Sequence, residues 1–214
     1  MKKFMLYLVL SISSISVAST FDKALVDAAI ERTTYKIIYN GSYFSIPYPN
    51  GDVPKYFGVC TDVIIRSYRA IGTDLQQLVH EDMHANFLAY PSKRIWGMKG
   101  TDKNIDHRRV PNLQAFFTRH GSVLKISKIS SDYKAGDIVT WMLKGNTPHI
   151  GIVTNLINSK TGNPMIVRNI GWGPETEDML FDFKITGHYR YVPEKYEYPS
   201  ETQKFKSKSN NYFG

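Results

Sequence analysis

The sequence predicts an α+β domain. Helix-period stretches crowd the first half, strand patterns with short turns fill the second, and the chain is long enough to enclose one core. The N-terminus comes first. Lys2 and Lys3 precede an apolar run over 4–15, and Ser16-Val17-Ala18 offers small residues for cleavage, the layout of a secretory signal peptide. The run is too short and wrongly flanked for a spanning helix; an uncleaved anchor is the alternative. Residues 1–18 are thus expected to be removed, giving a periplasmic or secreted domain over 19–192. From 193 to 214 the chain is polar, with little to bury, and reads as a loose tail.

Apolar positions Leu25, Val26, Ala29 and Ile30 predict a helix over 22–33. Tyr48-Pro49-Asn50-Gly51-Asp52-Val53-Pro54 is dense in turn formers and reads as a loop. Val63, Ile64 and Tyr68 predict a helix over 61–70 with Gly72 near its C-cap, which sets Cys60 at or just before a helix start. Residues 75–113 form a segment rich in His, Asp and Arg, helical at first and looping after Tyr90. A strand is expected over 123–129, then strands over 137–141, 149–156 and 164–170, with one more within 181–191.

Composition narrows the function classes. The net charge of +8 falls to +6 once Lys2 and Lys3 leave with an acid-free leader. A modest basic excess suits an anionic partner such as cell wall or lipid headgroups. No zinc-finger, Rossmann or other nucleic-acid fingerprint is present. An exported chain with 1 cysteine cannot close an internal disulfide, so Cys60 is filler, half of an intermolecular bridge, or reactive. A helix N-terminus favours the thiolate, and its amides can hold an oxyanion.

His149 opens the apolar strand Ile150-Gly151-Ile152-Val153 after a turn, which suits a base held at a sheet edge. With a hairpin centred near Lys160, residue 151 opposes 169. Asn169 then shares a face with His149, and Arg168 points away. Asn169 would fix the imidazole tautomer in a Cys-His-Asn triad.

The order Tyr48-Pro49-Asn50-Gly51, Cys60-Thr61-Asp62, Gly136-Asp137-Ile138-Val139-Thr140-Trp141, His149-Ile150-Gly151-Ile152-Val153 resembles NlpC-type and CHAP-type cell-wall hydrolases. The chain is also similar to a family of exported bacterial proteins in that superfamily. The hallmark segments of that family stand here as Gly58-Val59-Cys60-Thr61-Asp62, Asn104-Ile105-Asp106-His107-Arg108-Arg109 and Gly187-His188-Tyr189-Arg190. The resemblance spans residues 34–192. It implies a papain-like fold and amide hydrolysis on peptidoglycan stem peptides through an S-acyl enzyme, with no cofactor, no bound metal and no stable membrane insertion. By position Cys60 would be nucleophile, His149 base, Asn169 the orienting residue, and Tyr48 a neighbour of the oxyanion. Val167 stands where CHAP-type chains carry glutamate, and Cys-Thr-Asp replaces the usual Cys-Ser-Gly. The insertion over 75–113 is typical of neither group.

Two other readings stay open. His80-Glu81-Asp82-Met83-His84 is a His-Glu-x-x-His string, with Glu81 as a general base of a zinc peptidase and Asp102, Asp106 and His107 nearby in sequence. A non-catalytic wall-binding module is the other. Arg108 and Arg109 beside Asp106 and His107 suit a grip on a substrate carboxylate, or Asp106 and Arg109 form an internal ion pair. Trp172, between Gly171 and Gly173, is the tryptophan best suited to stack on substrate.

Overall fold

The computed structural model describes residues 13–194; the first twelve residues of the expected leader and the tail from 195 lie outside the described residues. Helix α1 (Ser13–Arg32) starts earlier than the periodicity implies and runs through the expected cleavage junction at Ala18. No helix among the described residues is long and apolar enough to cross a membrane. The short strands β1 (Ile38–Tyr39) and β2 (Phe57–Gly58) pair in parallel, bringing Tyr39 level with Gly58. Helix α2 (Cys60–Ala70) follows at once.

The insertion is more helical than expected. After α3 (Leu75–Ala85) come α4 (Ser92–Trp96) and α5 (Val110–His120). Helix α5 starts in the last residues of the stretch read as loop and runs on through 114–120, where no element was expected; Pro111 in its first turn is the position a helix tolerates. The strand expected over 123–129 shrinks to β3 (Ser122–Val123). The strands β4 (Ile138–Leu143), β5 (Thr147–Ile157), β6 (Pro164–Arg168), β7 (Glu175–Glu177) and β8 (Lys184–Arg190) complete an antiparallel sheet in the order β3-β8-β4-β5-β6-β7. Strand β7 lay in none of the expected strands, being 3 residues of alternating glutamate and threonine.

Strands β4, β5 and β6 alternate between two apolar layers. Ile138, Ile150, Ile152 and Val167 face Leu25, Ile64, Tyr68, Leu113 and Phe117 of the helices. Val139, Trp141, Val153 and Ile166 face Tyr133, Met179 and Leu180 on the other side, where the Trp141 indole donates to Leu180 O at 2.9 Å. Burying each of these large side chains contributes about 1.5–3 kcal/mol. The architecture is thus mixed α+β, a helical layer on one face of an antiparallel sheet.

Candidate functional site

Cys60 is the first residue of α2, and Val59 before it is in extended conformation. Asp62 reaches back to accept from the Val59 amide at 2.7 Å, half of a capping box, and its charge suits a helix start. The thiol sits among the amides of Cys60 and Thr61 and the backbone of Ile150, all of which favour the thiolate. Burial outweighs them. Only 5% of Cys60 is exposed, and desolvation pushes its pKa up to about 12. The resting group is therefore a neutral thiol, which corrects the expectation of a thiolate drawn from helix position alone.

The tyrosine at the thiol is Tyr39. Burial and the adjoining Cys60 raise its phenol to about 12, with the Asp62 charge adding to this. Tyr48, expected beside the oxyanion, instead packs edge-on against the His80 ring at 5.0 Å and faces Glu81. The parallel pairing of β1 with β2 is what carries Tyr39 to the start of α2, and two short strands 19 residues apart leave no periodic signal of it.

Arg108 secures that arrangement. Its Nε and Nη2 donate to the two Asp62 oxygens at 2.9 and 3.0 Å, and its remaining bonds go to Ser42 O and Asn40 O. The Thr61 hydroxyl donates to Arg108 O at 3.1 Å. Arg108 and Asp62 are both buried, so the expected substrate grip of Arg108 gives way to an internal clamp between loop 40–42 and α2. Asp106 pairs with Arg109 at 3.3 Å, and the Arg109 guanidinium lies 4.3 Å from the Trp96 ring centroid. Burial raises Asp106 to about 6 and lowers the neighbouring His107 to about 3, the latter assisted by Arg108. Asp62, Asp106, His107 and Arg108 are thus buried packing groups.

The other sequence hallmarks pair in the same way. Asp137 of the Gly-Asp segment meets His188 Nε2 at 2.8 Å and accepts from Arg190 Nε at 2.8 Å, while His188 Nδ1 donates to Lys125 O at 3.0 Å. These contacts tie β8 to the start of β4. They are scaffold.

His149 lies on β5 opposite Trp141 of β4, ring centroids 6.2 Å apart. It is 2% exposed; burial first and Arg168 second push its imidazole down to about 4, so the ring is a neutral base at pH 7. The Ile150 backbone that meets the thiol is one residue along the same strand. By strand alternation the His149 side chain leaves the face opposite to Ile150 and the α2 layer.

The β5–β6 register differs from expectation by one residue. Ile152 pairs with Val167, which sets 150 against 169 and 151 against 168. An irregularity between Val153 and Ile157 displaces the hairpin, so Arg168 rather than Asn169 shares the His149 face. Asn169 is fully buried just past the end of β6. Its Oδ1 accepts from the Gly171 amide at 3.1 Å, and its Nδ2 has no partner among the described residues. His149 Nε2 and Arg168 Nη1 are likewise buried and unpartnered. Beyond them Trp172 stands 90% exposed between two glycines whose φ values of 128° and 102° lie where other residues are strained. Gly173 packs against Ile37, so this loop adjoins the strand that carries Tyr39.

Residues 26–191 match the family described as a domain of unknown function, DUF1287. The chain belongs to this family. It is also 45% identical over 177 residues to "Uncharacterized protein YijF" of Escherichia coli (strain K12), a match covering 83% of this chain and 85% of that protein.

The zinc reading finds no ligand set. His80 and His84 rings lie 6.3 Å apart, Glu81 accepts from Gln77, and Asp82 is taken by Arg119, His120 and Tyr90. Among the described residues no group of three or more His, Cys, Asp or Glu is arranged to hold a metal ion.

Proposed function

We propose that the protein is an exported, papain-like cysteine amidase or endopeptidase acting on peptidoglycan stem peptides. The observation that carries this reading is the thiol of Cys60 at a helix start, among the amides of Cys60 and Thr61, beneath the Tyr39 hydroxyl and against the strand that bears His149. Thiol and imidazole are both neutral, each in the form from which general-base catalysis starts. In this reading His149 takes the Cys60 proton as sulfur attacks the amide carbon, which requires the ring, held on the Trp141 face of β5 at rest, to turn toward the thiol in the substrate complex. The Cys60 amide and the Tyr39 hydroxyl hold the oxyanion, replacing the role first given to Tyr48. The imidazolium then protonates the leaving amine, and water, deprotonated by His149, cleaves the thioester to a carboxylate. The exposed Trp172 meets substrate. The leader-like N-terminus supports export.

Purified mature protein should release peptide fragments from sacculi, identified by mass spectrometry, and Cys60→Ala should abolish release while the fold persists. Undiminished release by that variant would refute the mechanism. One observation favours a second reading, a wall-binding module without turnover: the thiol pushed up to about 12 is inert at rest. That reading expects the chain to co-sediment with sacculi, releasing nothing.

A further inference from the structure

The sheet puts an arginine where the sequence put an asparagine. Arg168 pairs with Glu175 of β7, and its position across from Gly151 follows from the Ile152–Val167 pair. A side-chain carbon built on Gly151 would lie 3.4 Å from Arg168 Cβ and only 2.7 Å from Ile166 Cγ2. Glycine at 151 thus lets Ile166 and the β6 backbone close in on β5, with the Arg168 side chain beside it. His149, two residues earlier on β5, shares that face and is a diagonal neighbour of Arg168.

The guanidinium is held from its far side. Nε donates to Glu177 at 2.8 Å, Nη2 meets Glu177 as well and lies 3.2 Å from Glu175. Arg168 is 5% exposed and the glutamates are about half exposed, so the carboxylates look to solvent and the cation inward. That leaves Nη1 buried and unpartnered, as is Nε2 of His149 on the same face of the sheet.

We propose that Arg168 is a positioning residue for His149, setting the orientation and charge state of the imidazole from across Gly151, with Glu175 and Glu177 bracing it. The inference rests on the hydrolase reading for its purpose, though not for its measurement. A cation here disfavours a second positive charge on the ring, which agrees with the direction of the His149 shift. The ring's neighbour across the β4–β5 pair, Trp141, carries no charge. The two orphaned nitrogens are the kind of pair a buried water bridges.

The test is a histidine NMR titration of the full chain, with the His149 signal assigned by its loss in His149→Gln. Arg168→Met should raise the His149 midpoint by roughly half a unit or more, and Arg168→Lys should keep it low. Glu175→Gln with Glu177→Gln, on exposed side chains, should lower it further, and serves if Arg168→Met does not fold. A midpoint indifferent to Arg168→Met in a folded chain, or to the double glutamine variant, overturns the inference. Sacculi left intact by a chain whose midpoint follows Arg168 would refute the hydrolase reading and leave the positioning inference standing.

Discussion

Alkylation of Cys60 tests how burial and helix position compete. An ordinary thiol with pKa 9.0 is ~1% ionised at pH 7, whereas one at about 12 is ~0.001% ionised, a ~1000-fold loss of the reacting species. The more basic sulfur is the better nucleophile; with a Brønsted slope near 0.45, three units return a factor of ~20. The net expectation is a ~50-fold slower reaction with iodoacetamide, before any hindrance from Tyr39. The assay is intact-mass alkylation at pH 7, with the chain unfolded in urea as its own reference. The folded rate should keep rising through pH 10 without a plateau. Tyr39→Ala, which opens the site to water, should speed it. A folded rate equal to the unfolded one, or a plateau below pH 9, would mean that the helix amides win and that the reasoning from burial is wrong.

Three further outcomes follow. Asp62→Ala strands the buried Arg108 charge and should cost about 3–5 kcal/mol, lowering the melting midpoint by ~6–20 °C in calorimetry; removing both partners together should cost less. His149 and His107 titrate at about 4 and about 3 when folded, below their ordinary 6.5. Their depressed values add stability that is present above pH 6.5 and lost as pH falls toward 3. Asp106, raised to about 6, works oppositely between 3.8 and 6. Denaturant titrations across this window should show net acid destabilisation that weakens in His107→Gln. Trp172→Ala should leave stability within ~0.5 kcal/mol, since the ring is 90% exposed, yet weaken sedimentation with sacculi; unchanged binding would remove Trp172 from the substrate surface.

Much of the framework was legible because it is written in near neighbours. Val63, Ile64 and Tyr68 announce α2, and alternation announces β4, β5 and β6. Helix α5 was missed although Val110, Leu113, Phe116 and Phe117 are helically spaced, because the surrounding Pro, Asp and Arg read as loop. The register slip had another cause: a local irregularity in β5 moves every downstream pairing, and no hydrophobic pattern records it. Asp62 looked like an unplaced substitution in a family pattern, and only its partner 46 residues away makes it a clamp.

By itself the sequence determined that one thiol exists, that it opens a helix, and that a histidine lies in the first, turn-proximal residues of a strand, which in the structure starts two positions earlier, at Thr147. These depend on residues two to four positions apart. The tertiary structure decided that the thiol is buried and protonated, that Tyr39 and not Tyr48 adjoins it, and that Arg168 shares the face of His149. Desolvation, strand register and ion pairing belong to segments brought together from across the chain, and their balance is set only when the helices close on the sheet.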